Sequence, residues 1–502
     1  MPKHRFTIMS MMKDEGHSLV EWVAYHKHIG FDNIVVYTND CTDGTDDMLI
    51  RLEELGWVQH FRNDVPEGRK PQPNALALGT RNPEVTDSEW ILTMDADEFL
   101  SIKVGRGWIT DLVDNMDPKA DGIAITWRFF GSNNVTRWDP GLAIESYTRS
   151  APDKFPKGWG VKTLFKPYRD MKLGIHRPHI KKAKKVPANA KLLLDQLWLN
   201  GSGDPMPHEF SLSGWRSTKP TLGYNLVEMN HYAVKSYESY LLRRIRGNVN
   251  NKPDKYNAAY FALFDRNELE VTNVQRHVRA TKRKIETILA DPIMRELQRK
   301  AILHHQNRVQ QLRETEEYEE WLDELKKAGQ VPLDKLDEVL FIQHLPKEWQ
   351  LKVKELQAQG VPDGDIAKMI AQTQTAKKGQ TRRELLELSG KATANQAEGD
   401  KPDASRQTDV QNELENPFMN TEAAASLGVP LSKDRTLKMA LAAQAVDQAD
   451  ESVADVVGKA RTIKQAVSRN RAKSLSSRGV VDSKTDSEAS LKRPTHGGED
   501  EN

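Results

Sequence analysis

Three carboxylates crowd into four residues of the stretch ILTMDADEFL (residues 91–100): Asp95, Asp97 and Glu98. Like charges this close raise one another's pKa and are costly to leave unpaired, so a cation is expected among them. Along an extended segment residues i and i+2 point the same way, which lets Asp95 and Asp97 face one ligand while Ala96 packs behind. Two hard oxygen donors, with the rest of the shell open to water and phosphate oxygens, suit Mg²⁺ or Mn²⁺. The competing reading is a solvated strand end with adventitious acids. A second acidic stretch, TNDCTDGT (residues 38–45), carries Asn39, Asp40 and Asp43. Its simplest account is an Asx-rich turn before a helix, which holds whether or not a nucleotide binds there.

Both stretches need strands to position them. RFTIMSM (residues 5–11) reads as a first strand, and Leu19, Trp22, Val23, His26 and Ile29 then recur at helical spacing up to Gly30. NIVVY (33–37) reads as a buried second strand. Asp43-Gly44 makes the turn after it, and Thr45 or Asp46 caps a helix carrying Leu49, Leu52 and Leu55. WVQHF, EWILTM (89–94) and GIAITWRFF (122–130) supply further strands. Strands alternating with helices predict an α/β domain with a mostly parallel sheet covered on both faces. In such sheets ligands bind beyond the carboxyl ends of the strands, where both acidic loops fall.

The composition divides the 502 residues into three. Residues 1–273 hold most of the aromatic and β-branched runs and read as the folded domain. Residues 274–390 read as a charged helical extension with exposed faces and little core. From 391 to 502, Ala, Ser, Asp, Gln and Lys prevail, a composition that cannot bury enough apolar area to offset chain entropy. Lys plus Arg (73) and Asp plus Glu (72) nearly cancel, so no global field favours nucleic acid. Cys41 is the one cysteine, so no internal disulfide can form, which fits a reducing compartment. MPKHRFTIMSMMKDEG turns polar after too few apolar residues to be expected to act as a signal segment, and no run approaches the roughly 18–20 apolar residues that cross a bilayer; the expected location is cytoplasmic, with peripheral contact at the inner face of a membrane allowed.

The stretches MMKDEGHSLVEWVAYHKHIGFDNIVVYTNDCTDGT, WILTMDADEFL, WRFFGSN and NHYAVKSYESYLLRRIRG occur in this order over residues 4–250. Together they resemble the family-2-type glycosyltransferases with a GT-A fold, closest to a bacterial subgroup related to family 92. The resemblance implies a nucleotide-sugar donor, with UDP-sugars favoured, and Mn²⁺ or Mg²⁺ bridging its two phosphates. It implies Asp97 as the direct metal ligand, and Asp95 on the ribose or a metal-bound water. Lys13, Asp14 and Glu15 from the first-strand loop, with Asn39, Asp40 and Asp43 from the second, would border base and ribose. The sequence departs from the commoner acidic pair after the second strand, having Thr38-Asn39-Asp40 there. A histidine completing the metal shell would be His231, with His176 as second choice. Inverting relatives use an Asp or Glu base for the acceptor hydroxyl; GSGDPMPHEFSLSGW offers Asp204 and Glu209, with nothing in the spacing to select one. Lys162 and Arg177 are diphosphate candidates for their charge alone. The acceptor would be a glycan, a lipid-linked saccharide or a protein.

Two other classes compete. A D-x-D phosphotransferase, whose first Asp attacks phosphorus, calls for D-x-D-x-T/V near the N-terminus, whereas Phe99 and the mid-domain position disagree. An interaction scaffold with a transferase-like half and a working tail should have lost the Asp pair, which this chain keeps.

Overall fold

The computed structural model describes residues 2–180, 196–207, 210, 214–246, 256–337, 339–340, 347–361, 365–366 and 369–370. Nine strands form one sheet: β1 (His4–Met12), β2 (Asn33–Thr38), β3 (Gln59–Arg62), β4 (Ser88–Thr93), β5 (Glu98–Ile102), β6 (Gly122–Phe129), β7 (Val161–Phe165), β8 (Trp198–Asn200) and β9 (Val227–His231). Their order is β3-β2-β1-β4-β7-β6-β9-β5, with β8 also paired to β6. The pairs β1/β2, β1/β4, β2/β3, β6/β8 and β6/β9 are parallel, whereas β7 runs antiparallel to β4 and β6, and β5 antiparallel to β9. The sheet is therefore mostly parallel, as the strand–helix alternation predicts.

The apolar runs explain which strands lie inside. Every residue of β2, β6 and β7 is buried, the pattern of strands covered on both faces. Helix α1 (Gly16–His28) lies against β5: Trp22 Nε1 donates to the Glu98 carbonyl at 3.0 Å and the Tyr25 hydroxyl to the Leu100 carbonyl at 2.7 Å. His26 is fully buried between them, and burial pushes its pKa down to about 3, so it is a neutral core residue. Helix α2 (Thr45–Glu54) starts where expected, but the capping carboxylate is Asp43, whose Oδ1 accepts from Thr45 N at 3.0 Å; neither Thr45 nor Asp46 is the cap, because Gly44 takes that position at φ +87°. Helix α3 (Pro71–Gly79) follows β3.

After β9 come α4 (Tyr237–Arg246) and α5 (Ala258–Phe264), then α6 (Val278–Ile288), α7 (Pro292–Arg313), α8 (Tyr318–Gly329) and α9 (Lys347–Ala358). The charged helices after residue 277 are not exposed all round. α6 packs on α1, α7 on α1, α2 and α4, and α8 on α4 and α5, burying Ile288, Met294, Ala301, Val309, Leu312 and Leu325. The approach is close at Gly16, where a Cβ would stand 3.1 Å from both the Ala301 Cβ and the Asp43 Oδ2, tight enough that a neighbour would have to shift by a few tenths of an ångström. Among the described residues no helix is long and apolar enough to cross a membrane. The stretch from 391 onward lies outside the described residues.

Candidate functional site

The segment after β4 is a turn, not the extended chain assumed from sequence. Glu98 N donates to the Asp95 carbonyl at 3.2 Å, and Asp95 N donates to Glu98 Oε2 at 2.8 Å. The chain reverses here into β5, so the carboxylates part: Asp95 and Glu98 turn to one cation and Asp97 to another.

Asp95 and Glu98 share Lys162, which β7 delivers from below. Lys162 Nζ lies 3.0 Å from Asp95 Oδ2 and 3.4 Å from Glu98 Oε2, wholly buried. Burial by itself would lower the lysine's pKa, but the two carboxylates outweigh it and raise it. Glu98 also accepts Trp127 Nε1 at 2.8 Å, and burial, opposed by Lys162, pushes its pKa up. Sequence reading left Glu98 without a role, although it is the most deeply buried of the three acids.

Asp97 faces the rim. β9 pairs with β5 so that His231 stands opposite Glu98, and Tyr232 N donates to the Asp97 carbonyl at 2.8 Å. This brings His231 Nε2 to 3.5 Å from Asp97 Oδ1, while Arg243 of α4 donates to Asp97 Oδ2 at 3.1 Å and to the Ala233 carbonyl at 2.8 Å. Burial would raise the Asp97 pKa, yet His231, Arg243 and Lys235 overcome it and hold the carboxyl well below the usual range. Asp97 is ionised at any working pH.

The two strand-end loops are tied to each other. Asp14, at φ +55°, accepts from Thr42 N at 2.7 Å, and Asp43 Oδ2 accepts from Gly16 N at 2.8 Å. Arg246 donates to the Lys13 carbonyl at 3.1 Å and lies 3.6 Å from Glu15. The two loops are thus held against each other, and a cleft between α4 and α7 is lined by Asp14, Glu15 and Asp97 together. Asp40 is exposed, at φ +48°, with Asn39 Nδ2 donating to its carboxylate at 3.1 Å.

Other sequence candidates stand elsewhere. His176 is buried, its Nδ1 3.0 Å from the Val161 carbonyl and its ring against Trp127 and Trp215; burial takes its pKa down to about 3. Asp204 is exposed in a turn closed on Asn200. Arg177 is buried and donates to the Pro178 carbonyl at 3.3 Å. Glu209 lies outside the described residues. Lys235, Arg243 and Arg246 fall in a stretch singled out from sequence but received no role there. His305 and Arg308, on a helix read as solvated, gave no signal.

Among the described residues no three His, Cys, Asp or Glu side chains converge as a metal cage. Asp97 Oδ1 and His231 Nε2 are nevertheless spaced as two ligands of one ion are, and Mg²⁺ or Mn²⁺ commonly keeps only one or two protein ligands and fills its shell with water and phosphate oxygens. The pair fits such an ion if Arg243 yields one side of the carboxylate. Asp95, turned to Lys162, is not aimed with it.

No protein-family model matches the sequence. Two curated proteins match part of it. A glycosyltransferase family 92 protein of Ricinus communis is 26% identical over 121 residues, 24% of this chain and 21% of its own length. Another, of Oryza sativa subsp. japonica, is 23% identical over 156 residues, 30% of this chain and 26% of its own length. The chain therefore spans about a quarter of the curated relatives it matches, and both are plant proteins, so the matches do not single out a bacterial subgroup. Among solved structures, S. aureus TarS 1-349 covers 67% of this chain and 84% of its own at 10% identity and a TM-score of 0.25. The same protein in complex with UDP-GlcNAc covers the same shares at 11% identity and a TM-score of 0.26. Scores this low carry no argument about function.

Proposed function

We propose that this chain is a glycosyltransferase that moves a sugar from a nucleotide-diphosphate donor, a UDP-sugar in the first instance, to a hydroxyl acceptor. The observation that carries this is the ionised Asp97, held between His231 and Arg243 at the rim where the β1 and β2 loops are tied together. The partial matches to family 92 glycosyltransferases support it. Lys13, Glu15 and the loop around Asn39 and Asp40 border the nucleoside in this reading, and Asp14 and Asp43 hold the two loops in register.

Asp97 and His231 would hold Mn²⁺ or Mg²⁺, which when bound neutralises the charge that grows on the leaving diphosphate. In the transfer the bond between the anomeric carbon and the phosphate oxygen breaks, and its electron pair leaves with the diphosphate. A bond forms from that carbon to the acceptor oxygen, whose proton passes to a carboxylate base. With attack from the opposite face the configuration inverts; Asp204 and Glu209 are the sequence candidates for the base. The acceptor is a glycan, lipid-linked saccharide or protein hydroxyl met in the cytoplasm or at the inner membrane face.

One observation favours the scaffold reading instead. Lys162 and Arg243 already satisfy Asp95 and Asp97, so the acids can persist for packing alone. A panel of nucleotide-sugars, incubated with the full chain in Mn²⁺, Mg²⁺ or EDTA, separates the two. Transferase predicts metal-stimulated release of nucleoside diphosphate from at least one donor; scaffold predicts none from any.

A further inference from the structure

The cleft beside Asp97 holds more cations than its carboxylates use. Arg243 is paired to Asp97, and Arg246 stands 3.6 Å from Glu15. Lys235 and Arg308 line the same cleft, half-buried, with no ion pair among the described residues. Lys235 is held at φ +57°, in the left-handed region that a lysine rarely adopts, in the short link between β9 and α4. Such backbone strain persists where surrounding structure over-determines it, and it gathers at ligand clamps. Arg308 comes from α7, the helix that sequence reading treated as solvent-facing.

The neighbouring imidazoles register the excess. His17 and His305 stack with ring centroids 4.0 Å apart at the edge of the cleft. Burial lowers the His305 pKa to about 3, and Lys235, Arg308, His304 and Arg246 push it the same way. His17 is held well below its ordinary value by burial, then by His305, Lys235, Arg246 and Arg308. Beyond burial, the nearby charges of Lys235, Arg246 and Arg308 oppose a further proton on either ring. A concave, partly desolvated surface with unneutralised cations attracts a multiply charged anion.

We infer that Lys235, Arg246 and Arg308 form a subsite for a diphosphate, supplied by the chain's own cations rather than by a metal, and that helix α7 is part of the ligand site. The inference rests on the transferase reading for the identity of the anion as the donor's diphosphate. It differs from that reading in what it requires: binding of the anion without a divalent ion, and dependence on a residue beyond the sugar-transferase-like half.

The test is calorimetry on the full chain in EDTA with UDP, inorganic pyrophosphate and uridine, for the wild type, Arg308→Gln, Arg308→Lys and Lys235→Gln. Pyrophosphate and UDP should bind, with uridine weaker by about tenfold or more. Removing one charge should weaken UDP and pyrophosphate by about tenfold and leave uridine unchanged, with Arg308→Lys recovering part of the loss. Melting temperatures within a few degrees of the wild type separate lost binding from lost folding, since neither side chain makes an ion pair among the described residues. No pyrophosphate binding to the wild type in EDTA, or full-strength UDP binding by both neutral variants, overturns the inference. If donor turnover is found while Arg308→Gln keeps its KM, the inference falls and the transferase reading stands. If the anion binds and the variants lose it, but no nucleotide-sugar is turned over, the subsite stands and the transferase reading falls.

Discussion

Arg243 Nη1 stands 3.1 Å from Asp97 Oδ2, across 146 residues of chain, and the same guanidinium reaches the Ala233 carbonyl at 2.8 Å. The arginine therefore ties the start of its own helix to the acid turn after β4. It places a positive charge where the sequence called for one, and it leaves the second carboxylate oxygen of Asp97 to His231.

Asp97→Asn should lower donor turnover on the order of 10²-fold or more, since it removes the anion that any metal or phosphate-handling cation at the rim is organised around. Arg243 keeps its bond to Ala233, so the melting temperature should fall by only a few degrees. Turnover assays and thermal melts on the same preparation check this. A collapse of the fold with no folded, inactive protein would place Asp97 in structure instead.

Lys162→Met should behave in the opposite way. It strands the fully buried Glu98 beside the partly exposed Asp95, and breaking a buried ion pair by removing one partner costs roughly 3–5 kcal/mol. Urea unfolding should show the free energy of unfolding lowered by that amount, read from a lower midpoint at unchanged slope. A variant as stable as the wild type would mean that the two acids reach water or a proton more readily than their burial implies.

Glu21 gives a pH signature. It is buried on α1, and desolvation raises its pKa to about 7 from 4.5, although the N–H groups of Ala143 and Ile144 donate to it and oppose the rise. Below pH 4.5 the group is protonated in both folded and unfolded states. Between pH 4.5 and about 7 the unfolded chain gives up the proton while the native state keeps it, so stability falls across this window, by on the order of 3 kcal/mol at most. Glu21→Gln should lose that slope. Chemical denaturation at several pH values, compared between the two proteins, measures it.

Asp43→Ala should loosen the β1 loop from the β2 loop, since Gly16 N and Thr45 N both lose their acceptor. A stability cost of about 1–2 kcal/mol is expected. The larger effect should be on donor KM, raised with little change in kcat. An unchanged KM would show that the tie does not position a ligand.

Truncation separates the parts of the chain. Removing residues 391–502 should leave donor hydrolysis intact, because their composition offers no core. Removing everything after 277 should abolish a soluble folded protein, since α6, α7 and α8 cover α1, α2, α4 and α5 with buried apolar residues. Soluble expression and hydrolysis of the two truncated forms decide this.

The strands were legible in the chain because they are short apolar runs, and apolar surface must be covered wherever it falls: β1, β2, β4 and β6 lie within a residue or two of their expected limits. β5, β7 and β9 carry Glu98, Lys162 and His231 inside buried strands. A charge within a strand reads as exposure until its partner is known, so these escaped.

What the sequence determined by itself was local: an α/β alternation, acids beyond strand ends, and a need for positive charge near Asp95, Asp97 and Glu98. Which cations answer that need was decided only by tertiary structure. Lys162 arrives on an antiparallel strand inserted into a parallel sheet, and Arg243 on a helix that follows the last strand of that sheet. Electrostatic pairing acts over a few ångströms in space and is blind to distance along the chain, so no spacing in the sequence could have named those partners.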